Sequence, residues 1–443
     1  MDGKINGRPT KEFFVNMITR DITIKDSILD LLDNSIDGAT NINEYDFSDL
    51  YIKINIDKNG FRIEDNCGGF DLETAKKYAF RFGRPSEHHV DKQSVGRFGV
   101  GMKRALFKIG KSFEVETKTD DNHFEVKVNV DEWKDTSNKT SEDNDDWSFT
   151  YDQINEETKN LEVSGTYIEV KDLYQEVSDQ FEDPKFKDAL HNDIEKVLTF
   201  SLSKGLKIFL NDNLMKSRDI QIFNDKTKPI KIFKQHEEVR YRVFAGLGDT
   251  GKPEKAGWYI FCNDRLVLEA NTNEITSWGL GSNPKFTNAY AMFRGVIFIN
   301  SDETINLPLT TTKKGVDTSS PSYRYILPFI KDSLWKVTSF LKKVKKLDNP
   351  NEYRKEVGEM EEIKLGIQEM RAFDISEDST PKFEPPQLDY DKLITKGADV
   401  RIGFYVKSDL AELLKEKLEV KSYKAIGEEI LDYYLKMEEI DYE

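Results

Sequence analysis

The 443-residue sequence predicts an α+β chain built in successive parts, on three observations. Residues 11–39 hold apolar side chains at helical spacing (Ile24, Ile28, Leu31, Leu32, Ile36), followed at once by the alternating strands "YIKINID" and "GFRIED". From about residue 180 a second series starts with a helix and continues in strands such as "RYRVFAGLG" and "MFRGVIFIN". The last segment, from Val400, reads strand, helix, helix.

Each element has a local reason. Residues 11–39 read as one long helical region, and Asp57-Lys58-Asn59-Gly60 is turn chemistry that joins the two strands after it. "SVGRFGVGMKRALFKIG" (94–110) sets three glycines ahead of an apolar and basic helical pattern. "SFEVETKT" and "HFEVKVNV" form a hairpin, "DTSNKTSEDNDD" an exposed acidic loop, and "SGTYIEV" a further strand. The helix "FKDALHNDIEKVLTFSLSKG" then opens the second part, with "LKIFLND" and "GWYIFCNDRLVLEA" among its strands. "SYRYILPFIKDSLWKVTSFLKKVKK" is the helix that closes it. Residues 352–373 read as one more helix, and "STPKFEPPQLDYD" as a linker by its proline and charge content. At the end, Val400, Ile402, Phe404 and Val406 alternate with Arg401, Gly403, Tyr405 and Lys407, before helices capped by Ser408 and Ser422. The expected boundaries are 1–178, 179–346, 347–399 and 400–443.

Composition excludes several classes. The 65 Lys and Arg against 81 Asp and Glu give a net charge of -16, which argues against bulk electrostatic binding of nucleic acid or anionic lipid and leaves room for a local basic patch. Two cysteines, Cys67 and Cys262, support neither a disulfide framework nor a cysteine-rich zinc site. The N-terminus is polar and no run reaches membrane-span length, so a soluble, cytoplasmic protein is expected. The glycine spacing fits neither the dinucleotide fingerprint nor the P-loop, since no Gly-Lys-Ser/Thr ends it.

Four short stretches nevertheless supply what phosphate chemistry needs. "DLLDNSIDGA" places Asp30 four residues before Asn34, on one face of a helix. Asn34 offers an amide oxygen to Mg²⁺, and Asp30 is set to orient or deprotonate a water. Asp65, at the end of "GFRIED", is a carboxylate that can accept from the amino group of a base, with the Thr166 hydroxyl of "SGTYIEV" beside it. Gly96, Gly99 and Gly101 let backbone N–H groups approach an anion ahead of a helix N-terminus.

In this order the motifs resemble those of the GHKL ATPases, the group of gyrase, heat-shock chaperone, histidine kinase and MutL nucleotide-binding domains. "DLLDNSIDGA" resembles the N-box, "EDNCGGF" the first glycine box, "VGRFGVGM" the second and "SGTYIEV" the later Gly-Thr motif. The resemblance implies a Bergerat-type ATP-binding α/β sandwich, with a lid over residues 71–101. It also implies that ATP and Mg²⁺ are bound by Asn34, Asp37, Asp65, Gly69, Gly96, Arg97, Phe98, Gly99, Val100, Gly101 and Thr166. Two positions depart from the pattern. The N-box begins with the shorter Asp30 where glutamate is usual, which implies slow hydrolysis, and Cys67 stands where a glycine is common.

The second part resembles the transducer domain, of ribosomal S5 domain 2-like fold, of MORC and MutL proteins. "LPLTTTKKGVD" is similar to the loop that delivers a lysine to the terminal phosphate, which assigns that catalytic role to Lys313, with Lys314 second. The C-terminal pattern resembles a ribbon-helix-helix fold, which implies pairing of two chains. The resemblance as a whole is to prokaryotic MORC-like proteins. It implies a homodimeric, ATP-gated clamp acting on DNA, in DNA maintenance or antiviral defence; the alternative is an ATP-switched, chaperone-like protein with a protein partner.

Overall fold

The computed structural model describes residues 9–83, 100–135, 146–154, 160–249, 252–310, 312–347, 350–360, 363–373, 380–386, 403 and 405–438. The chain divides into two compact units, Met1–Leu393 and Ile394–Glu443.

The first unit opens with α1 (Lys11–Arg20) and α2 (Ile24–Ile42). The single helical region expected over 11–39 is therefore interrupted. The break is chemical: the Thr23 side chain accepts the Asp26 N–H at 3.2 Å and donates to the Asp26 carboxylate at 2.7 Å, starting a new helix. The hairpin β1 (Tyr51–Asp57) and β2 (Gly60–Asp65) pairs Asp57 with Gly60, as the turn residues require. There follow α3 (Leu72–Thr74), one π-helical turn Ala75–Ala79, α4 (Gly101–Ile109), β3 (Gly110–Lys118), β4 (His123–Asn129), α5 (Val130–Lys134), β5 (Asp152–Gln153) and β6 (Gly165–Leu173). Next come α6 (Gln175–Glu182), α7 (Pro184–Val197), α8 (Thr199–Ser203), β7 (Lys207–Leu210) and β8 (Asn213–Leu214).

Among the described residues these strands form one sheet in the order β5-β4-β3-β6-β2-β1-β7-β8, in which β7 runs parallel to β1 and the other neighbours are antiparallel. "LKIFLND", expected in the second part, thus extends the first sheet: Ile208 and Leu210 are needed in the same core as Ile52 and Ile54. One apolar cluster joins Ile28, Leu32, Leu106, Phe107 and Ile194 of the helices to Ile54, Ile63, Val115 and Val170 of the strands and reaches Met215.

The second sheet takes the order β10-β11-β14-β12-β13, from β10 (Ile230–His236), β11 (Val239–Leu247), β12 (Gly257–Cys262), β13 (Arg265–Asn271) and β14 (Phe293–Ser301). Both faces are covered. α9 (Pro321–Val344) packs Ile326, Ile330, Leu334, Val337 and Leu341 against Val243, Ile297 and Ile299. On the opposite face Phe244, Phe261 and Phe298 meet Phe200, Ile222, Ile367 and Met370.

The helix expected over 352–373 is split into α10 (Pro350–Met360), β15 (Lys364–Gly366) and α11 (Ile367–Ala372). Lys364–Gly366 pairs antiparallel with β9 (Gln221–Phe223), so tertiary backbone pairing overrides helix propensity there. Part of the expected linker is docked as well: Phe383 is buried against Phe340, ring centres 5.6 Å apart, and Glu384 pairs with Lys228.

The second unit contains α12 (Ser408–Lys417) and α13 (Tyr423–Met437). Ser422 caps α13 by accepting the Ala425 N–H, as expected, whereas Ser408 lies inside α12 and Lys407 precedes it without a side-chain cap. Val400, Arg401, Ile402 and Phe404 of the expected strand lie outside the described residues, and Tyr405 and Val406 pair with no strand among the described residues. Among the described residues of this unit Ile426 is buried, while Leu410, Leu413, Leu431, Tyr433, Tyr434 and Met437 are exposed. No helix of the described residues is long and apolar enough to cross a membrane.

Candidate functional site

α2 carries the first half of the site. Its amphipathic spacing buries Ile28, Leu29, Leu31 and Leu32, which fixes the rotation of the helix, and Asp30 and Asp33 are buried with them while Asn34 stays exposed and Asp37 half-buried. Burying two carboxylates demands cations. Three are present, and all come from elsewhere in the chain. Lys313 Nζ lies 3.0 Å from Asp30 Oδ1 and 2.6 Å from Asp33 Oδ2. Arg104 of α4 donates to the other Asp30 oxygen, and Arg265 of β13 donates to Asp33.

The electrostatic balance follows from the pairing. Burial pushes Asp30 up, yet attraction to Lys313 and then Arg104, with hydrogen bonds from both, outweighs it and holds the carboxyl below the usual range. Lys313 behaves in the matching sense: burial pulls it down, Asp33 and Asp30 pull it up more, and the ammonium is held above its ordinary value. Lys314, the next residue, pairs with Asp26 at 2.7 Å and is 52 % exposed.

Asp65 makes the other end, at the C-terminus of β2. Its Oδ1 accepts the N–H groups of Cys67 at 2.9 Å and Thr166 at 3.2 Å, and its Oδ2 accepts the Ser35 hydroxyl at 2.6 Å. The Thr166 contact is made by its backbone N–H, and the expected role of its hydroxyl gains no support from that bond. All three donors are neutral, so burial dominates and the carboxyl is pushed up to about 6. The turn after Asp65 is rigid. Thr117 Oγ1 accepts the Phe70 N–H at 2.9 Å, and Gly69, at φ 64°, leaves no room for a side chain because a Cβ would lie 2.5 Å from the Lys118 carbonyl. Gly165 is equally constrained, its Cβ position being 2.0 Å from the Asp65 carbonyl oxygen.

The start of α4 lies at the Asp30 end. Gly101 lies against Asp30, its Cβ position 3.7 Å from the Asp30 carboxylate, and Val100 at the cap position supplies no side-chain acceptor to the first-turn N–H groups. Gly96, Arg97, Phe98 and Gly99 lie outside the described residues. The segment entering that stretch is anchored: buried Lys103 donates to the Ala79 and Arg81 carbonyls, each at 2.7 Å.

The structure therefore brings Asp30, Gly101 and Lys313 together, and joins Asp65 to α2 through Ser35, next to Asn34. Sequence reasoning missed Asp33, Arg104, Arg265 and Ser35. Arg265 had a signal: Asn263 and Asp264, at φ 44° and 66°, make the tight turn of the "CNDR" hairpin that directs it inward.

Residues 22–161 match the model of the family described as histidine kinase-, DNA gyrase B-, and HSP90-like ATPases. The match supports the GHKL family. A GHKL ATPase domain in this stretch supports ATP binding, and the matched span holds Asp30, Asn34, Asp65 and Gly101 while ending before Thr166 and Lys313. No curated protein matches the chain.

Proposed function

We propose that the chain is an ATP-dependent homodimeric clamp of the GHKL, MORC-like type, which binds and slowly hydrolyses Mg-ATP to gate contact between N-terminal domains and acts on DNA, in DNA maintenance or defence. The observation that carries this reading is Lys313. A loop beyond the second sheet inserts an ammonium between Asp30 and Asp33 of α2, 280 residues away from Asp33 in sequence. A cation held, among the described residues, by two carboxylates at a helix N-terminus can exchange them for a nucleotide phosphate, and the second sheet moves with it.

The residues fit the ligand. Asp65 spends three lone-pair sites on Ser35, Cys67 and Thr166 and keeps one for an amino N–H of the base. Asn34 presents an exposed amide. Mg²⁺, which prefers hard oxygen ligands, would be held through the Asn34 amide oxygen and the nucleotide's phosphates. There it would neutralise phosphate charge. Asp37 completes the polar face of α2, and Gly101, at the start of α4, faces the Asp30 carboxylate.

Asp30 then has two states. Clamped by Lys313 and Arg104 it is a weak base, because its proton affinity is held down. Once Lys313 leaves for an anion, that affinity rises, and the carboxylate can orient and deprotonate water. On this reading the arrangement couples base strength to occupancy, and turnover is expected to be slow. The second unit, with its exposed Leu and Tyr side chains, is read as the permanent homodimer contact.

Asn34→Ala should abolish Mg-ATP binding by calorimetry, and an ATP analogue should raise crosslinking between N-terminal domains; equal crosslinking with and without nucleotide sinks the gating. A second reading, an ATP-switched binding or chaperone-like protein with negligible turnover, is favoured by the depressed Asp30 carboxyl. Equal near-zero phosphate release by wild type and Asp30→Asn establishes that reading instead.

A further inference from the structure

In a chain of net charge -16, the helix α9 and the two residues after it carry seven cations, Arg324, Lys331, Lys336, Lys342, Lys343, Lys345 and Lys346, against one acid, Asp332. Asp332 is already paired with Lys336 at 2.8 Å. The cations are not scattered. Arg324, Lys331, Trp335, Lys342 and Lys346 recur at intervals of 7, 4, 7 and 4 residues, which at 3.6 residues per turn sets them within about 60° of one another. The opposite arc is the one that buries Ile326, Ile330, Leu334, Val337 and Leu341 in the core, so the ridge faces outward. All five of its side chains are exposed, Trp335 by 48 %. None of its four cations forms an ion pair with a described residue, whereas Lys336, on another face of the helix, is paired with Asp332.

A helix C-terminus attracts lysines through its dipole, which accounts for Lys342 to Lys346. It does not account for Arg324 and Lys331 in the first half of the helix, nor for Trp335, half exposed between Lys331 and Lys342. From Arg324 to Lys346 the ridge spans 22 residues, about 33 Å at 1.5 Å per residue. That is close to one turn of duplex DNA, about 34 Å. Side chains of this kind contact phosphates without reading sequence, since point charges on flexible stems position the backbone and carry no base information.

We propose that the outer ridge of α9, formed by Arg324, Lys331, Trp335, Lys342 and Lys346, is a contact surface for the phosphate backbone of double-stranded DNA. The proposal rests on the DNA-acting reading above and places the contact on the helix that packs against the second sheet, outside the nucleotide site. α9 also follows directly on the Lys313 loop, so a nucleotide-driven shift of that loop reaches the ridge through one rigid element.

The test is fluorescence anisotropy of a short blunt DNA duplex with full-length protein, across a salt series, for wild type and for R324Q/K331Q/K342Q/K346Q. Wild type should bind, and the variant should bind at least tenfold more weakly. The variant's dependence of log affinity on log salt should be shallower by about 3.6, since each phosphate that one of the four side chains neutralises adds about 0.9 to that slope. ATP affinity should stay within twofold, which shows that the variant is folded. If both proteins bind DNA alike, the ridge is overturned and the DNA reading stands on some other surface. If wild type binds no duplex at any salt, the DNA reading itself fails. If wild type binds vesicles of anionic phospholipid and ignores DNA, and the variant loses the vesicles, the ridge is a lipid surface and the proposal is overturned in that way.

Discussion

Asp30 and Asp65 are two aspartates of one site, buried to nearly the same degree, 6 % and 3 % exposed, whose acidities move in opposite directions. Burial raises both. The difference lies in the partners: Ser35, Cys67 and Thr166 offer Asp65 neutral donors, whereas Lys313 and Arg104 offer Asp30 full charges. Hydrogen bonds alone do not overcome desolvation here, and cations do. The Asp65 end is thus built to hold a neutral, donating group such as an amino nitrogen. The Asp30 end is a preassembled charge cluster, in which an incoming anion exchanges partners.

The largest effect should come from breaking the charged end. Lys313→Met leaves Asp30 and Asp33 buried with one guanidinium each, and loss of one partner from a buried ion pair costs about 3–5 kcal/mol. Chemical denaturation of the full chain should show that loss, and phosphate release should fall at least 100-fold while ATP affinity drops less than tenfold. A stability change under about 1 kcal/mol, within the range of a surface pair, means that Lys313 is not buried between the carboxylates in solution.

The neutral end should respond more modestly and through pH. Asp65 titrates near 6 when folded and near 3.8 in an ordinary setting, so its favourable contribution is complete below about pH 4 and is lost as pH rises to about 6. The loss amounts to about 3 kcal/mol at 1.36 kcal/mol per pH unit. Asp30 has the reverse sign, contributing stability above the ordinary carboxylate range that disappears as pH falls. Asp65→Asn should remove the decline between pH 4 and 6 and leave the acid-side loss in place. It should also weaken ATP by about 2–3 kcal/mol, the cost of mispairing a buried group, roughly 30–150-fold. Because an amino donor favours the ionised carboxylate, wild-type affinity should rise through pH 6; an affinity flat across that range refutes the assignment of Asp65 to the base.

Much of this comparison was legible beforehand, for a local reason. Asp30, Asn34, Asp65 and Gly101 sit in short motifs whose spacing maps onto one helix, one strand end and one helix start. The strands around them alternate cleanly because one sheet face is buried. What was illegible depends on long-range partners. Nothing near Asp33 foretells Arg265, and nothing near Lys364–Gly366 foretells its pairing with Phe223, which turned an expected helix into a strand. Likewise "LKIFLND" looks the same whichever sheet it joins, and only the parallel partner β1 decides. The helix break at Thr23 was readable in principle from its Thr-x-x-Asp cap, but the apolar period runs across it undisturbed.

Asp30→Glu sharpens the charged end further. The added methylene restores the residue usual in the resembling family and lengthens a side chain that already lies against Gly101. Phosphate release should rise several-fold, about 1 kcal/mol in barrier. A fall in release, with ATP affinity unchanged, means that the pairing with Lys313 and Arg104 sets the position of the carboxylate more tightly than its length does.

Lys314 supplies the smallest effect and the cleanest contrast. It follows Lys313 directly, pairs with Asp26 one helical turn before Asp30, and differs chiefly in being half in water. An exposed pair contributes at most about 1 kcal/mol and usually less. Lys314→Ala should therefore change stability by under about 0.5 kcal/mol and leave ATP affinity and phosphate release within twofold of wild type. If Lys314→Ala silences turnover and Lys313→Met does not, the two neighbours exchange roles when the loop engages nucleotide, and the burial of Lys313 belongs to the resting arrangement alone.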